Sequence, residues 1–468
     1  MSDTHDLVIL GSGSTAFAAA LRAQPRGARV LMIEKSVLGG TCVNWGCIPS
    51  KTLIHAARFR RETSLGAQVG LGFSEKDIDF AKLSGHKEQV VQYLRQSKYL
   101  DILQNVPGLT LIKGTGRFLD SHTIEVGDQR IKGERFLIAT GGFPRLINFP
   151  GLSEADYLTS RSALLLKTLP RSLIVIGGGV IALELGQMYQ RLGCRVTVLE
   201  HGPRILPAVE AEPALALEKA LLDEGMRIEV DVAVCSVRNN GDSIVVAAEI
   251  GGRRDEFSAE KLLLAVGTAP ATADIGLEKA GVEVDEKGFV RVDEMMRTTA
   301  PGIWAAGDVT GGMMIATVGA REGIVAVDNM FDPMCGCRMD YLTAPMAIFT
   351  DPEVGMVGHT EASAAKAGYD TVTNTMPVSA IPKAHVTGYE AGAIKMVADR
   401  KTRRLLGVHL SCERGAELIN EAALALRFKL TIEDLANTLH VYPSMGEGLR
   451  LCAQGFSRDL SKLSCCAE

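Results

Sequence analysis

Leu7-Val8-Ile9-Leu10-Gly11-Ser12-Gly13-Ser14-Thr15-Ala16 reads as a short apolar strand, a tight turn and a helix start. Gly11, Gly13 and Ala16 stand at the spacing of a dinucleotide-binding turn. The helix runs toward Gln24, a second strand covers Arg29 to Ile33, and Glu34 ends it where a carboxylate can bond ribose hydroxyls. The turn alone is a weak signal; with strand, helix, strand and terminal acid in order it is a strong one. The pattern then returns. A strand from Leu173 to Ile176 enters Gly177-Gly178-Gly179-Val180-Ile181-Ala182, a helix follows to Leu192, Gly193 stops it, and a strand from Arg195 to Leu199 delivers Glu200. Two such sites in one chain imply two cofactors meeting at one reaction centre.

Glu200 bears on the second cofactor. An acid at this position bonds a ribose 2′-hydroxyl and repels a 2′-phosphate, which argues for NADH over NADPH. Arg204 is the counter-signal, as a group able to reach a phosphate or as an ordinary surface arginine.

Between the two fingerprints lies Gly39-Gly40-Thr41-Cys42-Val43-Asn44-Trp45-Gly46-Cys47-Ile48-Pro49-Ser50-Lys51. Two cysteines follow a Gly-Gly turn, and Pro49 suits a first helical position because its missing N–H is not needed there. Cys47 is thereby placed near a helix N-terminus, where the helix dipole and the Lys51 amine favour thiolate over thiol. Burial as two small hydrophobes is the alternative, but the Gly, Pro and Lys placement points to a redox pair.

Downstream, helices are expected from Lys51 to Glu62 and from Lys82 to Leu103, the second carrying Tyr99. A strand from Arg135 to Ile138 enters Ala139-Thr140-Gly141-Gly142, a small-residue turn where backbone can approach a cofactor; Ala265-Val266-Gly267-Thr268 echoes it. A strand ending in Gly307-Asp308 can aim a carboxylate at a polyol. From about Ala344 the pattern turns to antiparallel strands with helices from Ala416 to Arg427 and from Met445 to Leu451. The resulting expectation is an α/β chain with two Rossmann-like domains and a C-terminal α+β domain. The first dinucleotide domain spans 1–145 and is completed by 271–342, the second spans 146–270, and the third spans 343–468.

Composition narrows the function. The 468 residues carry a net charge of −5 without a basic stripe, which argues against nucleic acid. No apolar run approaches the ~20 residues of a membrane span, and no signal-peptide pattern opens the chain, so the expectation is a cytoplasmic protein. Its ten cysteines are then thiols at rest unless placed for redox work. Cys194, Cys235, Cys412 and Cys452 read as packing residues. Cys335-Gly336-Cys337 reads either as solvated loop cysteines or as a soft-metal relay.

Taken together, the cysteine stretch, both fingerprints and Gly307-Asp308 resemble the FAD-dependent pyridine nucleotide-disulfide oxidoreductases over essentially the whole chain. Two features narrow the resemblance to the mercuric reductases of that family. Disulfide reductases carry a His-x-His-Pro segment with a glutamate five residues after the second histidine; here that position is Tyr442, between His440 and Pro443, with Glu447 in place. A tyrosine with a pKa near 10 is a poor proton shuttle at neutral pH. The chain also ends in Ser464-Cys465-Cys466-Ala467-Glu468, an adjacent thiol pair suited to a soft ion such as Hg(II).

The resemblance implies that NADPH, the family's usual nucleotide, with NADH possible from Glu200, reduces FAD, that Cys47 lies against the flavin, and that Cys42 faces the substrate. Lys51 stands near the flavin and pairs with Glu184. Thr41, Gly116, Thr140, Gly141, Asp308 and Ala316 join Gly11, Gly13, Ala16, Glu34 and Lys51 around FAD, and Gly177, Gly179, Ala182, Glu200, Arg204 and Gly267 hold the nicotinamide nucleotide. It further implies a homodimer in which Tyr442, Glu447, Cys465 and Cys466 of one subunit serve the Cys42/Cys47 pair of the other, Tyr99 completing the Hg(II) site. Two other readings stay open: a thioredoxin-reductase-like disulfide reductase, and a non-catalytic mercury-binding flavoprotein.

Overall fold

A computed structural model describes residues 4–72 and 77–462 of the chain. It divides into two compact units, the first from Met1–Thr52, Lys82–Arg145 and Gly267–Tyr341, the second from Leu53–Ala81, Leu146–Val266 and Leu342–Glu468.

The first unit is built on a five-stranded parallel sheet in the order Ile303–Ala305, Phe136–Ile138, Leu7–Leu10, Val30–Glu34, Leu109–Lys113. Leu7–Leu10 is buried throughout, as expected of a parallel strand covered on both faces. The strand order reverses at Leu7–Leu10, so the crevice beyond the carboxyl ends of Leu7–Leu10 and Phe136–Ile138 is the ligand position of this architecture. Helix Ser14–Ala23 lies against helix Ala316–Phe331 through small residues: a Cβ on Gly323 would come within 2.6 Å of the Thr15 carbonyl oxygen.

The second unit repeats the arrangement. Its parallel sheet runs Tyr157–Thr159, Lys261–Leu264, Ser172–Ile176, Arg195–Leu199, Arg227–Glu229, again reversing beside the fingerprint strand. Its C-terminal portion is a five-stranded antiparallel sheet, Met346–Ile348, Glu353–Gly358, Leu405–Cys412, Ala393–Asp399 and Thr371–Pro377. Helices Gly415–Arg427, Ile432–Asn437 and Glu447–Gln454 join it in one apolar core. The middle helix was not anticipated, although a Thr431/Asp434 capping box starts it.

Three local readings are corrected. Helix Cys47–Gln68 begins at Cys47, so Pro49 is its third residue; that position is still within the first turn, where no intrahelical N–H bond is lost. The helix expected across Lys82 to Leu103 is instead Phe80–Arg95, a π-helical turn Gln96–Leu100, and Asp101–Asn105. Cys235 is not a packing residue: it is partly exposed on an edge of the Val232–Asn240 strand, whereas Cys194, Cys412 and Cys452 are buried.

Candidate active site

The two fingerprints use the same backbone device. Gly11 has φ +114°, its N–H donates to the Ile33 carbonyl at 2.8 Å, and a Cβ there would sit 2.2 Å from the Ala139 carbonyl oxygen. Gly177 has φ +111°, its N–H donates to the Leu199 carbonyl at 2.8 Å, and its Cβ would sit 2.5 Å from the Ala265 carbonyl oxygen. Only glycine permits this φ and this approach together. Gly13 and Gly179 then cap helices Ser14–Ala23 and Val180–Arg191, and Ala16 and Ala182 are buried in their first turns.

Around the first turn the residues fit an adenine dinucleotide. The Glu34 carboxylate is fixed at its strand end by the Ser12 hydroxyl, 2.6 Å, and the Ser36 N–H, 2.7 Å. Thr140 Oγ1 is buried without a hydrogen-bond partner among the described residues, beside Gly141 at φ +72°. Asp308 is half-buried just beyond strand Ile303–Ala305, and its partial burial pushes its carboxyl above the usual carboxylate range. Gly307 donates to the buried Glu322 at 2.6 Å, and Glu322 also accepts from the Tyr341 hydroxyl at 2.8 Å. Ala316 opens helix Ala316–Phe331 with its dipole's positive end, and Gly116 is packed among Leu10, Ile33 and Ile124.

The cysteine stretch is tied to the same turn, since Gly39 N–H donates to the Ser12 carbonyl at 3.0 Å. Cys42 lies in the short helix Gly40–Trp45 and Cys47 starts helix Cys47–Gln68, with Gly46 as the joint. Both cysteines are free and partly exposed. A hydrogen bond to Cys47 raises the Cys42 pKa most, burial adds to it, and Lys51 opposes it. Asn44 locks the loop by donating to the Leu38 and Gly40 carbonyls at 2.9 and 2.8 Å, and Arg95 bonds its side-chain oxygen at 3.1 Å.

Tyr99 sits on the π-helical turn. Its ring lies edge-on to Phe17, centroids 4.8 Å apart, and close enough to Gly39 that a Cβ there would be 3.3 Å from the ring. Burial pushes the phenol up to about 12, with the charges of Cys42 and Cys47 adding to the shift. It is a neutral phenol near enough to Cys42 and Cys47 to feel their charges.

In the second unit, both Glu200 oxygens are committed to the fingerprint loop, one to the Gly178 N–H and the other to the Gly202 N–H at 2.6 Å. Glu184 is buried in helix Val180–Arg191 and accepts the Phe349 N–H at 2.9 Å. In the C-terminal segment, Tyr442 is 46% exposed, while Glu447 is buried with Oε2 unpartnered among the described residues. His440 bonds the Glu421 carboxylate at 2.8 Å, which raises its pKa above the ordinary value.

A pyridine nucleotide-disulphide oxidoreductase model matches residues 5–323, and the dimerisation-domain model of the same name matches residues 344–453. The chain is a pyridine nucleotide-disulphide oxidoreductase. It is 40% identical to a mercuric reductase of Staphylococcus aureus over 463 residues, 99% of this chain and 84% of that protein. A mercuric reductase of Streptomyces lividans is 38% identical, covering 99% and 98%. A dihydrolipoyl dehydrogenase of Thermus scotoductus is also 38% identical, covering 97% and 98%. Among solved structures, the Cu(II) complex of the HOCl-induced flavoprotein disulfide reductase RclA from Escherichia coli superposes with a TM-score of 0.87 at 31% identity, over 97% of this chain and 100% of that one.

In this oxidoreductase Arg204, expected from the sequence at the nucleotide, also makes contacts of its own. The Arg204 guanidinium donates to four main-chain carbonyls, those of Ile205, Leu206, Pro207 and Val209, at 2.7 to 3.2 Å. It holds the loop that follows Glu200, in which Leu206 adopts φ +47°. Cys335 and Cys337 are paired in a disulfide, contrary to the expectation of free thiols. Thr41 is exposed in helix Gly40–Trp45, and Gly267 has φ +109° with open space where a Cβ would be. Cys465 and Cys466 lie outside the described residues. No helix among the described residues is long and apolar enough to cross a membrane. Ser12, Glu322 and Glu421 were not anticipated. Ser12 was legible as the hydroxyl inside the first turn; nothing local marks the other two, whose partners are distant in sequence.

Proposed function

We propose that this chain is an NAD(P)H-dependent mercury(II) reductase with FAD as its second cofactor, acting as a homodimer. The observation that carries the reading is the Cys42–Cys47 thiol pair at a helix N-terminus beside a neutral Tyr99. Two thiols this close can chelate a soft ion, and Hg(II) exchanges for their two protons as both sulfurs become thiolates. The N-terminal end of the dipole of helix Cys47–Gln68 and Lys51, one turn in, supply the positive potential that stabilises the thiolates. When bound, FAD would supply the two-electron chemistry, drawing on the nicotinamide, that converts Hg(II) held by Cys42 and Cys47 to Hg(0).

Gly11, Gly13, Ala16, Glu34, Thr140, Gly141, Asp308 and the N-terminus of helix Ala316–Phe331 are the residues that would hold FAD. Gly177, Gly179, Ala182 and Glu200 would hold the nicotinamide nucleotide. In this reading 1–145 with 271–342 is the FAD domain, 146–270 the nicotinamide domain and 343–468 the dimerisation domain. Cys465 and Cys466 of one subunit deliver Hg(II), and Tyr442 of that subunit closes the site with Glu447 behind it.

Tyr442 separates this reading from disulfide reduction, because a phenol does not supply a proton to a leaving thiolate at neutral pH as an imidazole does. His440 favours a second reading. Its bond to Glu421 makes an acid–base pair in the same segment, which a disulfide reductase could use.

The test is Hg(0) release by FAD-loaded protein carrying Cys42→Ser or Cys47→Ser. Each variant is expected to keep flavin reduction by NAD(P)H and to lose Hg(0) release; a variant that releases Hg(0) at the wild-type rate contradicts the proposal.

A further inference from the structure

The loop after helix Ala316–Phe331 carries Met334-Cys335-Gly336-Cys337-Arg338-Met339, a sulfur-rich segment with no part in the site above. Its backbone is fixed. Asp332 starts the turn, its side chain accepting the Met334 N–H and its carbonyl the Cys335 N–H, each at 3.0 Å. The buried Asn329 donates to the Cys337 carbonyl at 2.8 Å, and the Met339 N–H bonds the Glu294 carbonyl at 3.1 Å. Gly336 takes φ +56°, a left-handed turn that brings the flanking cysteines together with their Cα atoms 5.3 Å apart. Nothing lies within 4 Å of a Cβ placed on Gly336, so the space above the turn is open. Both cysteines are partly exposed, and Met334 beside them is 91% exposed.

A structural staple explains this pair poorly. A crosslink stabilises by restricting the unfolded chain, an effect that shrinks with the loop closed, and here a single residue separates the cysteines. Partly exposed sulfurs are also open to attack by small thiols. Two thiols preset by the backbone, with a thioether alongside, match the donor preference of soft closed-shell ions.

We propose that Cys335 and Cys337, once reduced, form a second soft-metal site that takes one Hg(II) ion and is closed by oxidation to the disulfide. Opening consumes two equivalents of a small-molecule thiol. The first attacks one sulfur to give a mixed disulfide, the second releases the thiol's own disulfide, and both cysteines are left as thiols. Binding then forms two S–Hg bonds and releases two protons. Exchange of the dithiol with a small-molecule disulfide, which is reduced to two thiols, returns the protein disulfide and excludes the ion.

The experiment compares full-length, FAD-loaded wild type with the Cys335→Ser/Cys337→Ser variant, with the flavin spectrum as the check that the variant is folded. Both are treated with excess monothiol, desalted without oxygen, and titrated with HgCl2 in the absence of nicotinamide. Native mass spectrometry is expected to show one more Hg(II) retained per wild-type chain. Without thiol treatment the difference is expected to vanish, and Zn(II) alone is expected to give none. Equal Hg(II) stoichiometry in the reduced proteins overturns the proposal, and a Zn(II) difference as large as that for Hg(II) overturns the soft-metal assignment. Hg(0) release with NAD(P)H is expected to be unchanged in the variant, which separates this site from the catalytic reading.

Discussion

Glu200 places its two carboxylate oxygens on the main-chain N–H groups of Gly178 and Gly202, at the rim of the second dinucleotide turn. A fixed anion there meets a ribose 2′-hydroxyl favourably and a 2′-phosphate unfavourably. Arg204, the cation nearest in sequence, has both terminal nitrogens bonded to main-chain carbonyls, four in all. NADH is therefore the expected electron donor, with kcat/KM above that for NADPH. Glu200→Ala is expected to lower kcat/KM for NADH by about tenfold to a hundredfold, the worth of a charged hydrogen bond, and to narrow the gap to NADPH. Initial rates with both nucleotides check this; a wild type that prefers NADPH contradicts it.

The matched glycines separate the two cofactors. A Cβ at Gly11 meets the Ala139 oxygen and one at Gly177 meets the Ala265 oxygen. Gly11→Ala is expected to yield protein that loses flavin on gel filtration. Gly177→Ala is expected to keep its yellow colour and lose nicotinamide-driven flavin reduction. Absorbance at the flavin band and anaerobic reduction kinetics report each, and the reverse pattern would exchange the domain assignments.

Much of this was legible before any coordinates. Gly11-Ser12-Gly13 and Gly177-Gly178-Gly179 announce their turns because the backbone approach they permit excludes every other residue. Arg204 was not legible: an arginine four residues after an acid looks the same whether its guanidinium meets a phosphate or folds back on its own loop. The π-helical turn around Tyr99 was equally hidden, since Gln96 to Leu100 has ordinary helix-forming composition. Glu421 gains meaning only through His440, 19 residues away.

Tyr99 remains a neutral phenol across the working range, because burial holds its pKa at about 12. Mercury turnover is therefore expected to show no loss attributable to Tyr99 ionisation below about pH 10. Tyr99→Phe keeps the ring against Phe17, so the variant is expected to fold normally and to lose roughly tenfold in kcat, the worth of one hydrogen bond. A pH–rate profile on both proteins checks the assignment.

His440 gains a partner on folding, so its pKa is raised above the unfolded value. The stabilisation is fully present below the unfolded pKa of about 6.5 and is lost as pH rises through the higher folded value. Glu421→Gln is expected to lower the thermal midpoint at pH 6, with the deficit shrinking at pH 9. Melting curves at the two pH values decide it; an equal deficit at both would remove the ion pair from the account.

The most direct test of mercury reduction is a comparison of electron acceptors on one FAD-loaded preparation. Nicotinamide oxidation would be followed with Hg(II) plus excess small thiol, with oxidised lipoamide and with oxidised thioredoxin, in wild type and in Tyr442→His. Wild type is expected to release Hg(0) with multiple turnovers and to reduce both disulfides slowly. Tyr442→His is expected to raise disulfide turnover, general acid catalysis being worth about a hundredfold or more. Brisk disulfide reduction by wild type, with Hg(II) acting only as an inhibitor, would contradict the account and identify a disulfide reductase.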